Sequence, residues 1–309
     1  MAALPKPYPK PKPLRLERKM VVTVAAGFVC PTGLVLCADT QETRGDIKVR
    51  VPKLAIRPSD RSENTDRKLI MAGAGDSAFI DKLIDVSWRA MVRADSTIEA
   101  IAEAIDTAIC DQHKRLVGCY HPGYMPQAEL IFGLWVKGCG VKMYASSASV
   151  MNPIAENECL GIGKVLARHI VDRMYVPDIP LELAEVLASY MLSHVREYVD
   201  GCGGDSMIVA IDLKGNVRDL DKTTEQFIST AVRNTDLFIP QLALRALVPN
   251  EEFEQALQAF CTSLRDMRAK GYITQRIVGE LQGLNEDGSR QLYELVSRPL
   301  GSETPEGES

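Results

Sequence analysis

Two apolar runs joined by a tight turn constrain this chain more than any other feature. The turn is Pro31-Thr32-Gly33, and the second run, Leu34–Ala38, leads directly into Asp39. Apolar runs of this length on either side of a Pro/Gly turn are typical of a β-hairpin. We therefore predict a hairpin within Val21–Thr43, with Asp39 near the end of its return strand.

More strands follow along the chain. A single strand is predicted at Lys68–Ala72, where apolar residues precede a glycine-containing turn. A second hairpin is predicted from Glu129–Val136 and Val141–Ala145. A third begins with Ser206–Asp212 and returns from Val217.

Four stretches with helical periodicity separate these strands. They begin at Ser77, after the capping residues 95–97, after Gly161-Ile162-Gly163, and at Pro180, where a missing N–H costs nothing. The order is thus strand pair, strand, two helices, strand pair, two helices, strand pair. It predicts an α+β fold: a four-layer α-β-β-α sandwich with the sheets inside and the helices outside.

The two ends of the chain differ from this central part. Residues 1–19 alternate proline with lysine and lack the apolar core of a secretory signal, so we interpret them as an extended leader. The leader is either a disordered tail, a basic docking arm, or a propeptide removed before Thr23.

Beyond the central part, 20–221, we expect a helical appendage over 222–301 and a disordered tail over 302–309. The appendage would contain a helix capped by Asn250 and a second helical stretch near 274–281. Its apolar stripe is expected to dock on the central domain.

Three side chains in and after the first hairpin suit acyl-transfer chemistry. Thr23 lies near the start of the first strand, Asp39 follows sixteen residues later, and Lys53 comes shortly beyond. A threonine at the start of a processed chain has an α-amine beside its Oγ, and this amine can take the hydroxyl proton. A lysine cation would activate both groups, and an aspartate would hold that lysine charged and oriented.

This order of residues in such a hairpin resembles proteasome core subunits of the alpha/beta type, within the N-terminal nucleophile hydrolase superfamily. The resemblance covers roughly residues 20–220 and implies the same sandwich fold. It implies that Thr23 is the nucleophile and that Asp39 and Lys53 tune it. It also implies a peptide substrate and a homo- or hetero-oligomeric ring that encloses threonine-type endopeptidase sites.

The resemblance assigns roles to five further residues. Gly73 would supply the oxyanion N–H, and Asp200 matches the acid before the last strand. The backbone of Thr43 would pair with bound peptide, and Met71 and Val51 would line the specificity pocket.

The sequence also departs from the family at three places. Met20-Val21-Val22 precedes Thr23 where active subunits carry glycine, and Ile162 and Gly203 stand where serines are expected. These departures favour an alternative, a catalytically inactive structural or assembly subunit with an uncleaved leader. A third hypothesis is an amidase of the same superfamily that acts on a small amide, because a fold does not fix a substrate.

Charge and cysteine usage exclude other classes. The net charge of −5 offers no general attraction for nucleic acid or anionic membrane, and no apolar run reaches the roughly 18 residues of a membrane span. Eight cysteines without a CxxC pair indicate free thiols in a reducing compartment, so we expect a cytoplasmic protein. Without metal-ligand spacing among the four histidines, we predict neither a metal nor a cofactor.

Overall fold

A computed structural model describes residues 23–44, 47–60, 65–117, 127–147, 149–247 and 252–269. These residues form a mixed α+β fold with two five-stranded sheets and one two-stranded sheet, all paired antiparallel. The predicted α+β class is therefore confirmed. Within the described ranges, no helix combines the length and apolar character needed to cross a membrane.

Twelve strands are described. They are β1 (Val24–Cys30), β2 (Gly33–Asp39), β3 (Gln41–Arg44), β4 (Ile47–Arg50), β5 (Leu54–Arg57), β6 (Arg67–Gly75), β7 (Ala128–Val136), β8 (Gly140–Ser147), β9 (Val150–Ile154), β10 (Asn157–Gly161), β11 (Ser206–Asp212) and β12 (Val217–Asp219). The first large sheet has the order β10-β1-β2-β11-β12, and the second has the order β5-β6-β7-β8-β9. Strands β3 and β4 pair only with each other.

Six helices are described. They are α1 (Ser77–Arg93), α2 (Ile98–Val117), α3 (Lys164–Met174), α4 (Leu181–Tyr198), α5 (Lys222–Ala246) and α6 (Glu252–Ala269). The predicted starts of α1 to α4 are confirmed to within a residue or two. The Thr97 hydroxyl caps α2 by accepting from the N–H of Ala100 at 3.2 Å.

Alternate residues of the strands pack into different hydrophobic clusters. On β2, Val35 packs with residues of α3 and α4, whereas Leu34 and Leu36 pack against the second sheet. On β6, Met71 packs with α1 and α2, and Ile70 faces the first sheet. This alternation follows from the two-residue period of side chains along a strand. Because β2 and β6 are covered on both faces, their sequences are apolar at nearly every position.

The turn between β11 and β12 leaves no room for a side chain. Gly215 has φ +84°, and a Cβ there would lie 2.5 Å from ring atoms of Trp135. We expect Gly215→Ala to lower the free energy of unfolding by about 1–3 kcal/mol through overpacking, in addition to backbone strain. Gly138→Ala is the matched control for urea denaturation, because Gly138 has φ +82° and no atom within 4 Å of the added Cβ. Equal losses in the two variants would contradict the packing argument.

Helix α5 follows β12 closely. It begins at an N-cap formed by Asp221, whose carboxylate accepts from the N–H of Thr224 at 2.9 Å. It packs on α4, where Arg196 pairs with Glu225 at 3.1 Å. The division into a domain and an appendage near residue 221 stays a prediction. The leader 1–19, the stretch 274–281 and the tail 302–309 lie outside the described residues.

Candidate active site

The candidate site is organised around the carboxylate of Asp39, which ends β2 and is fully buried. Its Oδ1 accepts hydrogen bonds from the Thr23 hydroxyl at 2.8 Å, the Val24 N–H at 3.2 Å and the Lys53 ammonium at 2.7 Å. Its Oδ2 accepts the N–H of Gly203 at 2.9 Å. The desolvation cost of the buried charge is thus offset by one cation and three neutral donors.

Strand pairing brings Thr23 to this carboxylate. β1 and β2 pair antiparallel from Ala25 opposite Ala38, so the continued register places Val24 opposite Asp39 and Thr23 one residue beyond, within reach of the carboxylate. The other edge of β1 also holds Thr23, since its carbonyl accepts the N–H of Gly163 at 3.2 Å. Thr23 is therefore held by Asp39 on one side and by Gly163 on the other. In the full chain it is only 1% exposed.

Lys53 reaches the cluster from the segment just before β5. Its ammonium donates to Thr23 Oγ1 and to the carbonyl of Gln41, in addition to Asp39. These three acceptors match the three N–H donors of an ammonium group. The side chain is 11% exposed, so the Lys53–Asp39 ion pair is shielded from solvent.

The arrangement has a clear chemical consequence for the hydroxyl. Thr23 Oγ1 donates to a carboxylate and accepts from a lysine, so a cation lies beside the oxygen that would gain negative charge on losing its proton. A nearby cation favours the charged form of such a group. The structure thus brings Thr23, Asp39 and Lys53 together, and their catalytic roles stay a prediction.

Gly73 and Met71 lie on the neighbouring strand β6. The N–H of Gly73 donates to the carbonyl of Lys53 at 3.1 Å, and an added Cβ would lie 2.9 Å from Leu130 and 3.0 Å from Ile80. Close packing therefore explains the glycine, and the oxyanion role stays a prediction. Met71 is 1% exposed and packs with α1 and α2, so its assignment to a specificity pocket also stays a prediction.

The remaining predicted residues lie around the cluster. Asp200 is exposed in the turn after α4, and the hydrogen bond described from this loop to Asp39 comes from the N–H of Gly203. Val51 is half-buried and its N–H donates to the carbonyl of Thr40 at 2.8 Å. Thr43 lies in β3 with Lys48 opposite it on β4. The roles proposed for Asp200, Val51 and Thr43 stay predictions.

The contact between residues 39–41 and the loop 201–205 was not predicted from the sequence. The N–H of Gln41 donates to the carbonyl of Gly203 at 3.0 Å, and the N–H of Asp205 donates to the Thr40 hydroxyl at 2.7 Å. The sequence feature that could have indicated this contact is the glycine-rich run 201–204, in which Gly201 and Gly204 adopt φ of +92° and +75°. Glycines at these positions let the loop approach the end of β2 closely.

Cys202 lies in the same loop and is buried. Burial raises the pKa of its thiol from 9.0 to about 12; the negative charge of Asp39 adds to this shift, and the cation of Lys53 opposes it. Because the folded state favours the protonated thiol, this stabilisation is complete below pH 9 and is lost as pH rises from about 9 to about 12. The thiol is therefore not a nucleophile at neutral pH.

A labelling experiment tests this protonation state. At pH 8 a pKa of about 12 leaves a thiolate fraction of about 10⁻⁴. We expect iodoacetamide to modify Cys202 at least about 10²-fold more slowly than the exposed Cys139, as measured by peptide mass spectrometry. Comparable rates for the two cysteines in the native protein would contradict this expectation.

The two departures from the family that lie in described residues have structural settings. Ile162 packs against the cluster formed with α3 and α4, and the adjacent Gly163 holds the Thr23 carbonyl. Gly203 contributes only its backbone to Asp39. Within the described ranges, no group of three or more His, Cys, Asp or Glu residues is arranged to hold a metal ion.

Comparison with known proteins identifies the fold. No protein-family model and no curated protein matches the sequence. Among solved structures, Anbu (ancestral beta-subunit) from Yersinia bercovieri matches with a TM-score of 0.61 and 16% identity, over 74% of this chain and 98% of that chain. Anbu from Hyphomicrobium sp. strain MC1 matches with a TM-score of 0.58 and 18% identity, over 75% and 99%. Anbu from Pseudomonas aeruginosa, solved as a helical assembly of the Anbu complex, matches with 0.58 and 16%, over 75% and 100%.

These structures correct the resemblance drawn from the sequence. The fold is related to the proteasome, but the solved structures named above are Anbu proteins, a family distinct from proteasome core subunits. The identification as a core subunit was therefore wrong.

Proposed function

We propose that this protein is a subunit of a proteasome-like, self-compartmentalised oligomer and that it hydrolyses peptide bonds with Thr23 after the preceding residues are removed. The observation that carries the proposal is the Thr23 hydroxyl, which is hydrogen-bonded to both members of the buried Asp39–Lys53 pair. A threonine that served only packing would not need a buried cation and a buried anion at its oxygen.

The reaction follows from this geometry. Once residue 22 is cleaved off, the α-amine of Thr23 lies beside its own Oγ and takes the hydroxyl proton as Oγ attacks the scissile carbonyl. The amine returns that proton to the leaving amine, and an ester on Thr23 remains. Water then hydrolyses the ester, with the same amine as base. Lys53 stabilises negative charge at Oγ, and Asp39 holds Lys53 in place.

The proposal includes the architecture around the site. The clusters packed by α3 with α4, by α1 with α2, and between the two large sheets support a four-layer α-β-β-α sandwich of the N-terminal nucleophile hydrolase type. The seven cysteines in the described ranges are free thiols, in keeping with a cytoplasmic protein. The helices α5 and α6 form the start of the proposed appendage.

An oligomer is proposed from the fold relationship. A head-to-tail interface closes into a ring when its rotation closes and gives an open helix when it does not. Anbu from Pseudomonas aeruginosa forms a helical assembly, whereas the sequence resemblance implied a closed ring. Negative-stain electron microscopy of the purified protein distinguishes these two forms, and a stable monomer by light scattering would contradict both.

A second candidate function is that of a structural subunit whose leader is not cleaved. In the full chain the nitrogen of Thr23 is part of a peptide bond and the residue is 1% exposed, so neither amine nor hydroxyl is available to a substrate. Ile162 and Gly203 lack the hydroxyls that would support the amine. This protein would contribute its fold to an assembly without hydrolysis.

One experiment separates the two functions. The N-terminal sequence and intact mass are measured for the assembled protein, before and after treatment with periodate, which cleaves only an N-terminal residue that carries adjacent amine and hydroxyl groups. A chain that starts at Thr23 and is oxidised by periodate supports the hydrolase. A chain that retains residues 1–22 after assembly supports the structural subunit and contradicts the proposed hydrolysis.

A further inference from the structure

We propose that Gln41 is a positioning residue of the candidate site, and that its side chain takes the place of the serine expected at position 203. The inference rests on the proposed function of Thr23. Gln41 directly follows Thr40 at the start of β3 and is 9% exposed, although glutamine is a residue that proteins normally leave in water. A buried glutamine next to a buried ion pair requires a specific set of partners.

The first observation is how Gln41 binds the loop after α4. Its backbone N–H donates to the carbonyl of Gly203 at 3.0 Å, and its side-chain Nε2 donates to the carbonyl of Gly201 at 3.1 Å. One residue thus holds two carbonyls that are two positions apart in the same turn. The turn has few conformational restraints of its own, because 201, 203 and 204 are glycines.

The second observation is the volume next to Gly203. A Cβ at Gly203 would lie 2.5 Å from Oε1 of Gln41 and 3.0 Å from its Cδ. The amide of Gln41 therefore occupies the space into which a side chain at 203 would extend. Gly203 is also the position where the family resemblance expects a serine. A serine at 203 and the present conformation of Gln41 exclude one another.

The third observation connects this contact to the ion pair. The N–H of Gly203 donates to Oδ2 of Asp39 at 2.9 Å, and the carbonyl of Gln41 accepts from the ammonium of Lys53. Gln41 therefore contacts the cation directly and supports the anion through Gly203. Loss of the side chain would remove the bond to Gly201, one of the two bonds by which Gln41 holds the turn, so the N–H of Gly203 would be held less firmly at the carboxylate of Asp39.

The test is a set of variants in the full-length assembled protein. Gln41→Ala removes both the amide and its volume, and Gln41→Glu keeps the volume but cannot donate to Gly201. Gly203→Ser inserts a side chain where the amide lies. The double variant Gln41→Ala with Gly203→Ser makes room for the serine. Gln112→Ala on α2 is the control, because Gln112 is equally buried at 9% but lies on a helix packed against the other sheet.

The first readout is hydrolysis of fluorogenic tripeptide amides. We expect Gln41→Ala, Gln41→Glu and Gly203→Ser to lower kcat by about 10-fold to 10²-fold with KM unchanged, because displaced catalytic groups slow chemistry more than binding. The double variant should be faster than either single variant. Single effects that simply multiply in the double variant, or wild-type kcat in Gln41→Ala, would overturn the inference.

The second readout does not depend on hydrolysis. Amide hydrogen exchange of Gly203 should be about fivefold faster in Gln41→Ala and Gln41→Glu than in the wild-type protein, the factor expected for one lost hydrogen bond. The Gln112→Ala control should leave it unchanged. Unchanged exchange in both Gln41 variants would overturn the inference. Faster exchange in a protein that never hydrolyses peptides would overturn the proposed function and retain the role of Gln41 in holding the turn.

Discussion

Replacing Thr23 with alanine should reduce peptide hydrolysis by on the order of 10⁴-fold or more, because the variant lacks the atom that forms the acyl intermediate. The fold should be retained, since Thr23 precedes β1 and makes no strand pairing of its own. The measurement is hydrolysis of fluorogenic tripeptide amides by the assembled protein. Circular dichroism of the same samples confirms that the comparison is between folded chains.

Two control variants make this result interpretable. Thr23→Ser keeps a hydroxyl and should retain hydrolysis, although at a lower rate, because the lost methyl group no longer fixes the rotamer of the side chain. Thr40→Ala removes a neighbouring hydroxyl that accepts from the N–H of Asp205, and it should reduce hydrolysis far less than Thr23→Ala does. Full hydrolysis by the Thr23→Ala protein would contradict the proposed nucleophile and with it the whole proposed reaction.

The second large effect concerns stability. We expect Lys53→Met to lower the free energy of unfolding by about 3–5 kcal/mol, because the fully buried carboxylate of Asp39 would remain without its cation. Lys137→Met is the matched control. Lys137 pairs with Asp66 at 3.1 Å, but these side chains are 67% and 73% exposed, so the expected loss is below about 1 kcal/mol. Urea denaturation monitored by tryptophan fluorescence measures both changes.

A double-mutant cycle separates the charge from the packing. Asp39→Asn alone leaves the ammonium of Lys53 buried without an anion and should also be destabilising. The double variant Lys53→Met with Asp39→Asn contains no unpaired charge and should be more stable than the sum of the two single losses predicts. Strictly additive losses would show that the two side chains do not act as a pair.

Local sequence patterns predicted the hairpins and helices that are formed by neighbouring residues. The β1–β2 turn at 31–33 and the helix starts near Ser77 and Pro180 are examples. The strands that were missed, β3, β4, β5, β9 and β10, have polar or mixed composition and lie at sheet edges or in the small sheet. Strand β9 even contains Pro153, which sequence rules assign to edges or exclude from strands. Of these strands only β10 has a distant partner, β1, whereas the others pair with a strand that is adjacent in sequence and were missed because of their composition.

Helix α5 lies within the predicted helical appendage, but the sequence analysis did not delimit it as a separate helix. It spans 25 residues and contains Pro240, so its periodicity is interrupted, and only the capping pair of Asp221 and Thr224 marked its start. Its stability comes from contacts with α4 such as the Arg196–Glu225 pair. Tertiary contacts therefore determine the helical structure of this segment more than its intrinsic helix propensity does.

In the candidate site, too, some residues were predicted from the sequence and others were not. The spacing of Thr23, Asp39 and Lys53 predicted that they would meet, because the hairpin register brings the first two together. The contribution of Gln41 could not be predicted, because its partners Gly201 and Gly203 lie 160 or more residues away in sequence. A sequence can indicate which groups carry chemistry, whereas the groups that hold them in place depend on contacts between distant segments.

The position of Thr23 relative to the first sheet has a consequence for maturation. Pairing of β1 with β10 starts at Val24 and with β2 at Ala25, so every strand pair described for the sheet lies after the proposed cleavage point. Cutting the chain there would create a new terminus at the edge of a finished scaffold. Cleavage before Thr23 would therefore break none of the strand pairs described for this sheet. Maturation could then follow assembly without refolding of the sheet.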